Sequence, residues 1–96
     1  MHVAVLKLDL HIPQSRSLKA KRAVVKPIVE GIRHRWAVAI AEVDHQNQWQ
    51  RTELVVAVDT GKQGVASEVL DAVERFVWSH PDIEVLAADR TWVDDA

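Results

Sequence analysis

The 96-residue chain is 48% hydrophobic and 27% charged. That is an ordinary globular composition, which excludes a fibrous or disordered polypeptide and suits one hydrophobic core, a single domain over residues 1–96. It has no cysteine, which excludes a disulfide scaffold, a Cys nucleophile and thiolate-bound zinc or iron–sulfur centres.

In chain order the first element is an alternating segment, residues 3–12. Ala4, Leu6, Leu8, Leu10 and Ile12 fall on one side, and Lys7, Asp9 and His11 on the other, the period of a half-buried strand. Pro13 ends it, having no amide for a ladder. Ser17 then offers a helix N-cap, and Leu18, Val25, Ile28, Val29 and Ile32 recur at helical spacing, which predicts a helix over 17–34. Pro27 removes the bond to the Ala23 carbonyl and costs ~3 kcal/mol in a regular helix interior, so a kink is expected near 23–27. Residues 36–44 and 49–59 read as two strands joined by the polar hairpin His45-Gln46-Asn47-Gln48. A glycine-bearing loop at 60–64 precedes a second helix over 65–79, whose stripe is Ala66, Val69, Leu70, Val73, Phe76 and Val77. His80-Pro81-Asp82 stops it, residues 83–92 form the last strand, and 93–96 read as a frayed acidic tail.

The order β-α-β-β-α-β is that of an α+β, ferredoxin-like sandwich. A right-handed first crossover leaves a slot for the third strand, so a four-stranded antiparallel sheet of order 4-1-3-2 is expected, with both helices on one face. The other face stays open.

Charge divides the chain. Residues 1–51 carry nine Lys/Arg against four acids, and residues 52–96 carry three against ten. Six of the positive charges lie between Lys19 and Arg35, opposed by Glu30 alone. Such a run is either a solvated helix face or an anion-binding face. The topology gathers His11, Ser15 to Arg22, the hairpin through Arg51, and His80 at one end. A helix N-terminus there, with Arg16, Lys19, Lys21, Arg22, Lys26 and Arg51 nearby, suits phosphate or carboxylate.

Sharper chemistries find less support. His11, Glu42, Asp44 and His45 are possible metal ligands by type, but no paired spacing joins them. Ser15 or Ser17 with His11 lacks an orienting acid and an oxyanion site. No catalytic residue, metal or cofactor is therefore expected. The outward sheet positions Val5, Lys7, Asp9, His11, Glu53, Val55 and Ala57 hold no aromatic on which a base could stack, unlike an RNA-recognition motif. An RNA contact would run through phosphates, with no DNA specificity. The same face has apolar members, and a second copy could cover it as a homodimer. Each of Trp36, Trp49, Trp78 and Trp92 is expected as a core plug or interface residue, with Trp49 at the hairpin the candidate partner contact. Lys7 and Asp9 interrupt the opening apolar residues, which leaves no secretory core and no membrane span, so a soluble, cytoplasmic protein is expected.

The segments Leu10-His11-Ile12-Pro13, Ser15-Arg16-Ser17-Leu18-Lys19 with Lys21-Arg22, and Ala41-Glu42-Val43-Asp44 with Trp49-Gln50-Arg51 together resemble the YlxP-like family. This is a domain-of-unknown-function family of small bacterial proteins, and the resemblance covers essentially the whole chain. It implies a ferredoxin-like fold, a bacterial cytoplasmic protein and no established activity. Because members are often encoded near translation factors and ribosome-binding factor A, it also implies a role with ribosomal RNA or a ribosomal subunit. The family pattern includes His11, Lys19, Lys21, Arg22, Glu42, Asp44, Trp49 and Arg51. The chain departs from it at Pro27 and at Ala20, where an acid is usual.

Overall fold

A computed structural model describes residues 2–61 and 63–94. The elements are β1 (His2–His11), α1 (Leu18–Arg35), β2 (Ala39–Asp44), β3 (Arg51–Asp59), α2 (Gln63–Trp78) and β4 (Glu84–Asp94). The sheet order is β2-β3-β1-β4 with every pairing antiparallel, the expected 4-1-3-2 order read from its other edge.

The alternation of β1 aims Ala4, Leu6, Leu8 and Leu10 into the core, where Leu54, Val56 and Val58 of β3 join them. From the helices come Val25, Ile28 and Ile32 of α1, and Ala66, Leu70, Val73 and Val77 of α2. Removing that apolar area from water holds the two layers together. The helices approach closely at Gly31, where an added Cβ would lie 2.8 Å from Phe76 Cζ. The Phe76 ring is also held edge-on by Trp36 at 5.8 Å and His80 at 4.8 Å, with the Arg35 guanidinium 4.5 Å from its centroid.

Several boundaries differ from the sequence expectation. Ser17 caps α1, its Oγ accepting from the Ala20 amide at 2.9 Å. The helix runs through Pro27 without interruption. Ala23 and Pro27 are both exposed, so water can take the place of the missing donor. β2 starts at Ala39 rather than 36, because the Trp36 amide is spent on the Ile32 carbonyl as the helix C-cap. β3 starts at Arg51 rather than 49. β4 continues through Asp94, with Val93 paired to Val3 and Asp94 to His2. Asp95 and Ala96 of the expected tail, like Lys62 of the loop, lie outside the described residues.

Two bulges interrupt the sheet. Val43 is the extra residue where Glu42 faces Leu54 and Asp44 faces Glu53. Leu86 is the extra residue where Asp9 faces Ala87 and Leu10 faces Val85. One lies on each edge strand, at the same level of the sheet. Both side chains stand out in solvent, 46% and 51% exposed.

Of the tryptophans, only Trp36 packs against the core. Trp49, Trp78 and Trp92 are exposed and are not core plugs: Trp49 lies in the hairpin, Trp78 ends α2, and Trp92 sits on the edge strand β4.

Candidate functional site

The first turns of α1 and the β2–β3 hairpin meet at one end of the sheet. Lys21 makes the junction. Its side chain is only 2% exposed, and its Nζ donates to the His45 carbonyl at 2.6 Å and pairs with Glu42 Oε2 at 3.0 Å. The hydroxyl of buried Thr52 donates to the same carboxylate oxygen. His45 is the one described non-glycine residue with positive φ, 61°, the conformation of a tight turn. The loop after β1 is tied in separately, by the Gln50 amide to the carbonyls of Pro13 and Ser15 and by the Ile12 amide to the Gln50 carbonyl.

This arrangement sorts the residues expected to bind an anion. Lys21 is not available to a phosphate, since its ammonium is buried and committed to Glu42 and His45. Arg51 lies on the open sheet face in a two-pronged pair with Asp9, at 3.0 and 2.6 Å. His11 faces Glu84, Nδ1 to Oε1 3.4 Å. His80 turns to Phe76, with Nδ1 2.8 Å from its carbonyl oxygen. Arg16, Lys19, Arg22 and Lys26 remain. All four are exposed, and among the described residues none has an ion pair or hydrogen bond from its side chain. Lys19, Arg22 and Lys26 follow at spacings of three and four, one stripe along α1.

The possible metal ligands are likewise divided. Glu42 faces the helix layer with Lys21, whereas the bulge at Val43 turns Asp44 to the open face beside Glu53. Among the described residues no group of three or more His, Asp or Glu side chains is placed to hold a metal ion. Ser17 is occupied as a cap, and Ser15 Oγ donates to the Ser17 carbonyl.

On the open face the β-register sets Ala39, Ala57 and Val5 in one row and Ala41, Val55 and Lys7 in the next. Beyond them the charged residues pair with each other, Arg51 with Asp9 and Lys7 with Glu53. The Arg51 hydrogen bond holds the Asp9 carboxyl below the usual carboxylate range, against the opposing effect of burial. A carboxyl whose folded pKa is depressed stabilises the fold above its unfolded pKa, and that contribution fades as pH falls through the folded value. Denaturant midpoints should therefore drop below about pH 4, and Asp9→Asn should flatten that part of the curve. Identical acid limbs for the two proteins would remove Asp9 as its source.

Beside the basic stripe, a groove of about 530 Å³ separates α1 from β2. Val25, Val29 and Ile40 form its walls, and Arg22, Lys26 and Arg33 its rim. The spacing signals in the sequence mark the stripe but not the groove, because the groove depends on where the edge strand β2 falls under the helix.

Comparison with known proteins bears on both fold and family. Residues 3–90 match the family model described as "Protein of unknown function (DUF503)". The "Uncharacterized protein YlxP" of Bacillus subtilis (strain 168) is 34% identical over 76 residues, covering 79% of this chain and 83% of that protein. A de novo designed protein with ferredoxin fold, solved by solution NMR, superposes with a TM-score of 0.53 at 11% identity, over 99% of this chain and 88% of that one. The last likeness concerns the fold alone. Among the described residues no helix is long and apolar enough to cross a membrane.

Proposed function

The chain belongs to the DUF503 family of unknown function, and from that premise we propose that it is a non-enzymatic, cytoplasmic RNA-binding accessory protein of ribosome maturation or translation, meeting phosphates through the basic stripe of α1. One observation carries the reading: Arg16, Lys19, Arg22 and Lys26 are exposed and unpaired among the described residues, while the other cations of the same end are committed internally. A cation with no internal partner keeps its full attraction for an outside anion. The open sheet face does not compete for this role, since its central positions hold no aromatic and its charges neutralise each other. Trp49, 55% exposed at the hairpin, is available to a partner on the same end.

The test is a titration of small-subunit ribosomal RNA fragments at two salt concentrations, with the wild type and with Lys19→Glu/Arg22→Glu. The variant should keep its fold, because both residues are exposed, and should bind all sequences more weakly. Unchanged binding by the variant would remove the stripe as the site.

A second reading rests on the apolar rows of the open face, Ala39, Ala57 and Val5 beside Ala41 and Val55. Two copies related by a twofold axis would bury those rows together. Light scattering over a dilution series would then report a dimer, and only monomer at micromolar concentration would exclude it.

A further inference from the structure

Phosphate contacts alone leave the groove between α1 and β2 without an occupant. Resting on the reading that α1 meets RNA phosphates, we propose that this groove receives one unpaired nucleotide, so that the protein selects single-stranded over duplex RNA. Its volume of about 530 Å³ is that of a small-ligand site, roughly 300–1,000 Å³. Aliphatic walls from Val25, Val29 and Ile40 offer a dry surface to the flat faces of a base. The rim is cationic: Arg22 and Lys26 belong to the phosphate stripe, so the strand that reaches them passes over the opening. Arg33 completes the rim, pairing with Glu30 at 2.6 Å and donating to the Ile40 carbonyl at 3.3 Å. The one acid in the lining, Glu42, is already neutralised by Lys21. The occupant is thus an anion with an apolar body. At the hairpin end of the groove the amides of Gln46 and Asn47 supply donors and acceptors of the kind that read base edges. A base inside a duplex is stacked and paired and cannot enter; an unpaired one can.

An acidic peptide has the same charge, but an extended peptide would bind by adding a strand to β2. Two carbonyls of β2 are already used, Ile40 by Arg33 and Glu42 by the Gln46 amide at 3.5 Å. A nucleotide needs neither.

Fluorescence anisotropy would compare a short single-stranded RNA, its duplex, and an abasic ribose-phosphate oligomer of equal length and charge. The base-bearing single strand, which buries apolar surface in the groove, should bind about tenfold more tightly than the abasic oligomer, and more tightly than the duplex. Val29→Trp fills the groove without changing charge. It should abolish the difference between base-bearing and abasic strands while leaving the salt dependence intact. The wild-type comparison stands even should that variant not fold. Equal binding of base-bearing and abasic strands by the wild type overturns the groove assignment and leaves the α1 reading in place. Binding of none of the three at low salt overturns both. Displacement of the single strand by polyglutamate more readily than by the abasic oligomer assigns the groove to an acidic peptide instead.

Discussion

Lys21→Met should lower the stability of the domain by about 3 kcal/mol, the low end of what breaking a buried ion pair costs. The methionine keeps most of the lysine stem, so the loss isolates the ammonium: its bond to the His45 carbonyl and its pairing with Glu42. Glu42 would then be left 27% exposed, its charge supported by Thr52 alone. In a chain of this size a loss of that magnitude lowers the melting temperature by roughly 12–24 °C. Adding Glu42→Gln removes the stranded charge and keeps an acceptor for the Thr52 hydroxyl. The double variant should therefore be more stable than Lys21→Met alone. Thermal unfolding of the two variants beside the wild type gives the answer, and a wild-type melting temperature for Lys21→Met would show that the hairpin does not depend on this clamp.

The second large effect is in the salt dependence of RNA binding. If the four unpaired cations each meet a phosphate of a single strand, the log–log slope against salt is about −2.8. Raising salt fourfold then weakens binding by about 50-fold. With Lys19→Glu/Arg22→Glu only Arg16 and Lys26 remain, the slope halves to about −1.4, and the same change in salt weakens binding by about sevenfold. Were Lys21 and Arg51 also on phosphates, six contacts would give a slope of about −4.2. The measured slope thus distinguishes four contacts, Arg16 and the stripe of three, from a cluster of six, and a slope near zero would exclude phosphate contacts by these cations altogether.

The fold was legible because its signals are periodic and local. Alternation in β1 and β3, the helical stripes and the Ser17 cap all act within a few residues. The boundaries that shifted depend on contacts made elsewhere. Trp36 has strand-forming character, yet its amide closes α1 and its ring meets Phe76. The site was legible in part. Arg16, Lys19, Arg22 and Lys26 read as surface cations and are exposed. Lys21 read as another of them, although the series Leu18, Lys21, Val25, Ile28, Ile32 already sets it on the inward stripe of the helix. That spacing was the available signal, and the partner acid Glu42 lies far along the chain, where periodicity does not reach. The pairing of Arg51 was hidden for a similar reason: only the β-register brings Asp9 beside it.

The paired bulges have a consequence for the protein at high concentration. An open four-stranded sheet ends in two rows of backbone groups, each a template on which another chain can grow. In this protein Val43 and Leu86 break the regular ladder on both of those margins at the same level, and a bulge adds local twist. On the β2 margin the Arg33 guanidinium also covers the Ile40 carbonyl. Neither margin offers a long flat run for edge-to-edge growth into fibrils, so a small chain with one uncovered sheet face is guarded at its edges without a third layer to shield it.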